Sequence, residues 1–543
     1  MEPTRRSVLK AAAVSAAVAA PVAGLVDRRA SAASLPLVLN PFTLGVASGD
    51  PFPDGFVIWT RLAVYPLTDD GFGGMPDSSY DVDWQVATDP RFFTVVTSGT
   101  ESVSRATAHS VHVEVAGLLP AREYWYRFRA GDWMSQVGHA ITAPAAGAMP
   151  SSLRMAQVSC AQYAEGYFSV YRRLAETSPD LVVHLGDYIY EFGNYAGALR
   201  PFAGASCFTL ADYRRRYAQY KTDRDLQFAH ATAPFLCVFD DHEVENNWAG
   251  THPPGYEPGF MTRRANAFRA YWENMPMRRP QVPVGYDMQL YRRLVWGRLA
   301  NINLMDTRQF RDDQACGDGY RVCSTASAST RTITGPAQER WLLDGFRSSV
   351  ATWDILAQQV FFGQRDTDPG ASKRTSMDAW DGYTASRYRI TRGWYDAGVR
   401  NAVVLTGDVH SAWANELKLT YDRPATNVGV ELVATSVTSA GDGYDNSGNH
   451  PWMQWNPDLR YFNNLRGWIS TTYTPQQLTA DYQVVAKVSQ PNEPSWLKAR
   501  FVVEDGVANL NRTYLAPMRN TGARTGPHDE AADVIAQETD PTP

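Results

Sequence analysis

The sequence predicts an amino-terminal β-sandwich followed by a large α/β domain. Three observations support this prediction. Short apolar or alternating segments separated by turns fill residues 37–145, a pattern typical of a sandwich. Residues 143–150, rich in Ala, Gly and Pro, then have the composition of a linker. Beyond them, residues 151–515 alternate strand-like and helical segments, which indicates an α/β domain with several sheet strands.

Residues 1–32 have the pattern of an export signal. Arg5 and Arg6 precede a weakly apolar, Ala-rich run over residues 11–26, and Ala30-Ser31-Ala32 offers small residues to a signal peptidase. We expect a twin-arginine leader that is cut after Ala32, with the twin-arginine export machinery as a partner. A membrane anchor is the alternative, but the run is short and rich in Ala rather than Leu. The rest of the chain has no apolar stretch long enough to span a bilayer, so we expect a secreted protein.

The sandwich prediction for residues 37–145 depends on short strand-like segments and one turn. The segments cover residues 56–59, 82–86 and 109–115. The turn Gly117-Leu118-Leu119-Pro120 and the Tyr124-Trp125-Tyr126 that follows it are similar to a turn and strand of fibronectin type III-like domains. We find no cluster of metal-ligand residue types in this region. We therefore expect a supporting module rather than a catalytic one.

The predicted α/β domain, residues 151–515, begins with a strand that ends at Cys160 and a second strand that ends at Asp187. Between and after these strands, the apolar patterns predict helices at 168–177, 210–228 and 263–272, and strands at 234–239, 300–305, 353–362, 402–405 and 430–436. Residues 519–543 are rich in Gly, Pro and Asp, and we expect them to form a flexible tail.

Charge and cysteine content narrow the class of protein. The formal net charge is -6, and the leader holds five of the 51 basic residues but two of the 57 acidic ones. The remainder is therefore more acidic still, which gives no reason to expect nucleic-acid binding.

An exported protein permits disulfides among its five cysteines. Cys316 with Cys323 is the first predicted pair, Cys207 with Cys237 is the second, and Cys160 is left as a free thiol.

Four predicted strand ends carry residue types that bind metals. Cys160 closes the first strand, and Asp187 with Tyr190 follows the second. Residues 240–243, Asp-Asp-His-Glu, follow the third strand, and residues 407–410, Gly-Asp-Val-His, follow the fourth. Layered sheets keep functional residues at the carboxyl ends of their strands. Each motif alone occurs by chance in many proteins, but the ordered set predicts a metal centre.

These motifs resemble those of the metallophosphoesterase superfamily, and of its PhoD-like (alkaline phosphatase D) family in particular. The resemblance runs from residue 41 to about 515 and is carried by residues 158–160, 185–191, 240–248 and 405–410. It implies a metallophosphoesterase domain built as a β-sheet sandwich flanked by helices, a twin-arginine leader, and iron together with calcium. Secreted phospholipase D enzymes share these motifs, so the resemblance leaves the substrate open. Ser159-Cys160-Ala161 replaces the usual Asp-x-His, which argues against a histidine-rich pair of zinc or manganese ions.

The expected iron site combines two kinds of anionic ligand. In a two-metal phosphoesterase the cations lie about 3.5–4 Å apart, and Asp187 is the natural bridge because its carboxylate has two oxygens. Cys160 as thiolate and Tyr190 as phenolate favour a strongly Lewis-acidic ion. With His410 as a further ligand, these residues predict Fe3+.

The expected second site offers oxygen atoms. Asp187, Asp408 and either Asp241 or Asn246 supply them, and oxygen-only coordination points to Ca2+ ahead of magnesium or manganese. Of the two neighbouring asparagines, Asn246 is the one predicted to bind the second metal or to touch phosphate, and Asn247 is expected to cap a turn.

His242 is the expected catalytic residue, because it follows a candidate ligand on the same turn and is suited to protonate or stabilise the leaving oxygen. The alternative is a structural histidine bonded to Glu243 or Glu245.

Arg308 has two interpretations: its planar fork binds a phosphate oxygen, or it forms an ion pair with Asp306.

Together these observations predict a secreted, metal-dependent phosphoesterase that hydrolyses phosphate mono- or diesters, with a metal-activated hydroxide as nucleophile. We expect a monomer. Two alternatives stay open: a phospholipase D-type phosphodiesterase that acts on phospholipids, and a non-catalytic cell-wall protein that binds phosphate. Relative rates on a phosphomonoester, a phosphodiester and a phospholipid distinguish the first alternative, and the absence of both metal and hydrolysis favours the second.

Overall fold

The computed structural model describes residues 36–422 and 424–522. The predicted leader, residues 1–32, and the predicted tail beyond residue 522 lie outside the described residues. The amino-terminal strands are β1 Val46–Phe52, β2 Gly55–Arg61, β3 Tyr80–Ala87, β4 Val95–Val103, β5 Ser110–Val115, β6 Glu123–Ala130, β7 Trp133–Met134 and β8 Gly138–Ile141.

These strands form two layers, as the sequence predicts. β1, β2 and β5 lie in one layer, and β4, β3, β6 and β7 lie in the other, with β8 paired to β6. Alternate side chains of the two layers share one apolar core, for example Phe56 and Ile58 with Val82 and Phe128. The fibronectin type III-like character of this region stays a prediction.

The larger region contains the remaining strands and the helices. Its strands are β9 Leu153–Val158, β10 Leu181–His184, β11 Phe235–Cys237, β12 Arg292–Trp296, β13 Ala300–Leu304, β14 Tyr320–Arg321, β15 Trp353–Ala357, β16 Thr375–Ser376, β17 Ala402–Thr406, β18 Ala412–Lys418, β19 Asn427–Val433, β20 Leu459–Asn463, β21 Gly467–Tyr473, β22 Gln477–Val485, β23 Ser495–Glu504 and β24 Asn511–Leu515. Its helices are α1 Ser169–Glu176, α2 Leu210–Lys221, α3 Arg224–Thr232, α4 Phe260–Asn274, α5 Gly335–Ser348 and α6 Thr384–Ala397.

Two mixed sheets organise this region. The first has the strand order β24-β23-β22-β21-β9-β10-β11-β1-β2-β5, and the second has the order β12-β13-β15-β17-β19-β18-β20. Side chains of both sheets and of α1 to α4 belong to one core cluster, whereas α5 and α6 cover the other face of the second sheet with Phe346 and Trp394. The central strands β10, β15 and β17 are buried along their whole length, which explains their continuous apolar runs. The helices therefore flank two packed sheets, as predicted.

The amino-terminal layer is not separate from the first sheet. β1 pairs in parallel with β11, where Gly49 lies opposite Phe235, so the sheet continues across the predicted linker. A side chain at Gly49 would not fit, because a Cβ atom there would lie 2.3 Å from the carbonyl oxygen of Pro276. This pairing joins distant parts of the chain, and local sequence patterns contain no signal for it.

Two predicted segments differ from the structure. The helix expected at residues 210–228 is divided into α2 and α3, because Asp223 caps α3 by accepting hydrogen bonds from the backbone N–H groups of Asp225 and Leu226. The strand expected at 353–362 ends at Ala357.

None of the helices within residues 36–422 and 424–522 is long and apolar enough to cross a membrane.

The cysteines agree in part with the prediction. Cys316 and Cys323 form a disulfide with their Cα atoms 6.0 Å apart, as predicted. The second predicted pair is wrong, because Cys207 and Cys237 are both buried free thiols. Each sits in the apolar core, where a free cysteine behaves as a small hydrophobic residue. Cys160 is a free thiol, as predicted.

Candidate metal centre

The predicted strand ends meet where the two sheets face each other. Cys160, Asp187 and the segment 240–243 follow the parallel strands β9, β10 and β11 of the first sheet. Asp408 and His410 follow β17 of the second sheet. Gln157 of β9 links the sheets beneath this point, since its side-chain amide donates to the carbonyl oxygens of Thr406 and Leu432 at 2.9 and 2.8 Å.

The backbone at these strand ends is unusual. Cys160, Asp187, Asp408 and His410 are all in the left-handed region, with φ between 51° and 66°. Non-glycine residues rarely adopt this conformation, and it concentrates at functional sites. Gly186, with φ of 107°, allows the turn before Asp187, because a Cβ atom there would lie 2.4 Å from Cβ of Asp240.

The first group of candidate ligands is the one predicted for iron. Potential ligand atoms of Cys160, Asp187 and His410 lie within 4.8 Å of one another. The phenol oxygen of Tyr190 is 3.1 Å from Oδ2 of Asp187 and 3.1 Å from Nε2 of His410. Burial, and next the charge of Asp187, raise the pKa of the Cys160 thiol well above its ordinary value. A cation is therefore needed to hold this thiol as thiolate.

Two further groups consist mainly of carboxylates. Asp187, Asp241 and His242 lie within ligand distance of one another, and so do Asp240, Asp241 and Asp408. Asp187 and Asp241 each belong to two of the three groups. Asp240 was not among the predicted ligands, although it directly precedes one of them.

The electrostatics of the carboxylates indicate a cation. Among the described residues, Oδ1 of Asp187, Oδ2 of Asp240 and Oδ1 of Asp241 are buried without a hydrogen-bond partner. Burial and neighbouring carboxylates raise the pKa of Asp187 and of Asp408 well above the ordinary value. Such an arrangement is costly unless positive charge compensates it. The donor set therefore fits one metal with thiolate and phenolate ligands and another with carboxylate oxygens.

His242 is held by a residue that the sequence interpretation did not consider. Nδ1 of His242 lies 2.8 Å from Oε2 of Glu191, and Oε1 of Glu191 accepts the backbone N–H of Asn246 at 2.9 Å. Burial alone would lower the pKa of His242, but Glu191, Asp241 and Asp187 raise it well above its ordinary value. The imidazole also stacks on the Tyr190 ring, with centroids 4.1 Å apart.

The alternative partners of His242, Glu243 and Glu245, have other roles. Glu243 accepts backbone N–H groups from Asp187, Tyr188 and Asp240 at 3.1, 2.5 and 2.8 Å, which ties the tips of β10 and β11 together. Glu245 pairs with Arg263 at 3.0 Å. The interpretation of His242 as a histidine bonded to either glutamate is therefore wrong.

The two asparagines differ in their contacts. Asn247 donates its backbone N–H to Oδ2 of Asp241 and its side-chain amide to Oδ2 of Asp318, both at 2.7 Å. Asn246 contacts Glu191 through its backbone. The structure thus brings Asn247 into the support of Asp241, and a metal-ligand role for the Asn246 side chain stays a prediction.

Arg308 belongs to the site and was missing from the predicted set. Its fully buried guanidinium donates to Asp240 at 2.5 Å and to Oδ1 of Asp378 at 2.9 Å, and Nη2 lies 2.9 Å from Oδ2 of Asp378 and 3.5 Å from Oδ1 of Asp408. The predicted ion pair with Asp306 is wrong, because Asp306 accepts the backbone N–H of Arg308 at 3.0 Å instead. The side-chain partners of Arg308 lie on distant segments, so no local pattern identifies them.

Comparison with known proteins identifies the family. The family model described as PhoD-like phosphatase matches residues 155–482, more than half of the chain. The chain belongs to the PhoD-like phosphatase family. The model of the PhoD-like phosphatase N-terminal domain matches residues 29–144 of this PhoD-like chain.

Two relatives of this PhoD-like phosphatase are similar over most of their length. Alkaline phosphatase D of Bacillus subtilis (strain 168) is 44% identical over 482 residues, which cover 87% of this chain and 82% of the relative. The solved structure titled "Structure of PhoD" has 43% identity and a TM-score of 0.87, and the match covers 90% of this chain and 94% of that one. The predicted family and the predicted phosphoesterase class are confirmed.

Proposed function

We propose that this PhoD-like phosphatase is an exported, two-metal phosphoesterase that hydrolyses phosphate mono- or diesters. Cys160, Asp187, Tyr190 and His410 would hold Fe3+. Asp187, Asp408 and either Asp241 or Asn246 would hold Ca2+. The observation that carries the proposal is the convergence of the Cys, Asp, His and Tyr side chains of this set at facing strand ends, with buried carboxylate oxygens that lack hydrogen-bond partners among the described residues.

The two cations would supply the Lewis acidity that polarises a phosphoryl group and favours its attack by water. The chain itself supplies a proton donor. Glu191 holds Nδ1 of His242, so Nε2–H is the group available to a leaving alcohol oxygen. The three carboxylates around His242 favour its charged form, in which it carries that proton.

Arg308 supplies fixed positive charge beside the proposed calcium ligands. Asp240 and Asp378 hold its guanidinium, and Nη2 lies 3.7 Å from Oδ1 of Asp241 and 3.5 Å from Oδ1 of Asp408. Although burial opposes ionisation, Arg308 and His242 keep the pKa of Asp241 below its ordinary value. Arg308 therefore maintains this carboxylate as an anionic oxygen donor.

Metal analysis combined with an absorption spectrum tests the cofactors. Purified protein is expected to contain iron and calcium and to show a visible charge-transfer band from phenolate or thiolate to Fe3+. Tyr190→Phe and Cys160→Ser should each alter the band. A colourless, fully active zinc enzyme would contradict the ligand assignment.

Relative rates test the substrate class. We expect hydrolysis of an aryl phosphomonoester or of a bis-aryl phosphodiester that exceeds hydrolysis of phosphatidylcholine. A strong preference for the phospholipid would favour the phospholipase D-type alternative. Purified protein with neither metal nor hydrolysis would favour the phosphate-binding alternative.

Export through the twin-arginine pathway is supported by the leader pattern of residues 1–32. Cell fractionation tests it: the processed chain should appear outside the cytoplasm, and Arg5→Lys with Arg6→Lys should retain the unprocessed chain inside. Processed chain outside the cytoplasm in that double variant would exclude the twin-arginine route.

A further inference from the structure

The segment after β19 reaches from the second sheet to the iron half of the site. Ser436 forms a bridge with Ser159, and the backbone N–H of Val437 donates to the carbonyl oxygen of Ser159 at 3.0 Å. Arg466 fixes the segment from the other side by donating to Oγ of Ser436 and to the carbonyl oxygen of Ser439, at 2.7 and 2.9 Å. The position of Ser439 is therefore set by contacts with Ser159, which follows β9, and with Arg466, which precedes β21.

Ser439 touches the proposed iron ligand Tyr190. Its Oγ lies 2.6 Å from the phenol oxygen of Tyr190, and each of the two residues is 1% exposed. The same Oγ lies 2.9 Å from the carbonyl oxygen of Cys160 and accepts the backbone N–H of Gln162 at 3.3 Å. The backbone carbonyl of Cys160, another proposed iron ligand, therefore competes with Tyr190 for the hydroxyl proton of Ser439.

Proton counting decides where that hydroxyl points. Ser439 has one O–H proton and two acceptors, the phenol oxygen of Tyr190 and the carbonyl oxygen of Cys160. A Tyr190 that binds a metal as phenolate has lost its own proton and can only accept. A hydrogen bond to a charged oxygen is shorter and stronger than one to a neutral carbonyl, so the Ser439 proton is directed to Tyr190.

We infer that Ser439 is a positioning residue for the iron half of the site: its hydroxyl donates to the phenolate oxygen of Tyr190 and limits the electron density that this ligand gives to the ferric ion. The inference rests on the proposed Fe3+ site. Hydrogen bonds of this kind orient metal ligands and tune the metal.

This hydrogen bond should affect the absorption spectrum of the iron site. A hydrogen bond lowers the energy of the phenolate electrons, and the charge-transfer transition moves one of these electrons toward iron. Loss of the hydrogen bond therefore reduces the transition energy. It also makes the phenolate a stronger donor, so Fe3+ becomes harder to reduce.

The test compares the absorption band of the purified holoenzyme with those of Ser439→Ala and Ser439→Thr, at measured iron content. Ser439→Ala should move the band to longer wavelength and slow its bleaching by dithionite, whereas Ser439→Thr, which keeps a hydroxyl, should stay close to the parent protein. Thr438→Val is the matched control, because Thr438 lies on the same segment but donates to the carbonyl oxygen of Gln162 at 2.8 Å. If Ser439→Ala does not fold, Ser439→Cys, with its weaker donor, should show a smaller shift in the same direction.

The outcomes distinguish the iron site itself from the role of Ser439. A parent protein with no iron and no band would overturn the proposed iron site itself. A parent band that stays unchanged in Ser439→Ala or Ser439→Cys at full iron content would overturn the role of Ser439 alone. An equal shift in Thr438→Val would also overturn it, because the shift would then come from packing of the segment.

Discussion

At the scale of single residues, His242 depends on Glu191 for its orientation. The carboxylate of Glu191 forms hydrogen bonds with Nδ1 of His242 and with the backbone N–H of Asn246. One buried side chain therefore fixes both the imidazole and the turn that carries it. A proton donor that is held in this way keeps one ring nitrogen for the substrate.

Glu191→Gln tests this dependence. The amide keeps an acceptor oxygen for the backbone N–H of Asn246 but loses the negative charge that faces the imidazolium. We expect kcat for an alkyl phosphate to fall about 10²-fold, within the usual range for general acid catalysis. The loss for p-nitrophenyl phosphate should be smaller, because a nitrophenolate departs without protonation. Glu245→Gln is the control, since Glu245 pairs with Arg263. Equal losses for both esters would contradict the role of Glu191.

Arg308 is expected to stabilise the folded protein, in addition to keeping Asp241 ionised. Its buried guanidinium is paired with Asp240 and Asp378, and removal of one partner leaves uncompensated buried charge. We expect Arg308→Met to lower the free energy of unfolding by about 3–5 kcal/mol in chemical denaturation. Arg347→Met, which removes an exposed pair with Asp344, should have no measurable effect. Similar stabilities of the two variants would refute the assignment.

The residues that the sequence predicted are those with a local signal. Asp187, Tyr190 and His410 occupy motifs at the ends of recognisable strands, and they meet as expected. Glu191 directly follows Tyr190 but lies far from His242 in sequence, so their contact has no local signal, whereas Glu243 and Glu245 are close to His242 in sequence. Ser439 has no local signal at all, since its hydroxyl function depends on a segment that crosses from the other sheet.

At the scale of elements, the loop closed by the disulfide of Cys316 and Cys323 supports the carboxylate half of the site. Asp318 in this loop accepts the side-chain amide of Asn247, whose backbone N–H holds Asp241. The carbonyl oxygen of Gly319 accepts the backbone N–H of Met377, next to Asp378. The loop therefore contacts two segments that orient charges at the proposed calcium site.

Removal of this covalent closure should weaken calcium binding selectively. We expect the double variant Cys316→Ser with Cys323→Ser to require about tenfold more calcium for the same thermal stabilisation, in line with the effect of lost outer-shell support. Its visible band should be unchanged, because the contacts of Asp318 and Gly319 lead to Asn247 and Met377, which are not proposed iron ligands. Asp318→Ala, with the disulfide intact, should show the same trend. Unchanged calcium dependence in both variants would exclude the loop from this role.

Helix α2 ends with a lysine inside the molecule, which predicts a pH dependence of stability. Nζ of Lys221 lies 3.2 Å from Nε2 of His230 and 4.5 Å from the centroid of Trp59, and it also faces Tyr188 and Cys237. Burial lowers the pKa of Lys221 from 10.5 to about 7. The unfolded chain therefore binds more protons than the folded one between these values, and stability rises with pH across this window.

The slope of stability with pH from this one group is at most about 1.4 kcal/mol per pH unit. Urea denaturation between pH 7.5 and 9.5 should show the rise in the parent protein, and Lys221→Met should flatten it. Lys373→Met, at an exposed position, is the control and should keep the slope of the parent. A Lys221→Met variant with the parent slope would contradict this origin of the pH dependence.

At the scale of the whole molecule, the first sheet contains strands from both predicted domains, residues 37–145 and 151–515. The composition of residues 143–150 correctly indicates a connection between two strand patterns. This composition does not indicate which strands pair, and β1 pairs with β11, which lies far along the chain. The sandwich layers were therefore predictable from local alternation, whereas their fusion with the catalytic sheet was not.

Gly49→Val tests this fusion. The added side chain would meet the carbonyl oxygens of Pro276 and Phe235 at 2.3 and 2.7 Å, so the pairing of β1 with β11 should be lost or displaced. We expect the free energy of unfolding to fall by about 3 kcal/mol, together with loss of hydrolysis, because β11 leads into the site. Gly147→Ala, where a Cβ atom meets nothing within 4 Å, should be neutral. A stable, active Gly49→Val enzyme would show that the two segments are energetically independent.

The position of β9 in the first sheet has a consequence for biosynthesis. β9 lies between β10, which follows it closely in sequence, and β21, which leaves the ribosome only when most of the chain has been made. Until then one edge of β9 is unpaired, and Cys160 at its end cannot be enclosed. Folding of such long-range topologies is slow, and unpaired strand edges are prone to aggregation. The nascent chain therefore needs protection from aggregation at this edge, and the time at which metal can be captured is set by the synthesis of β21.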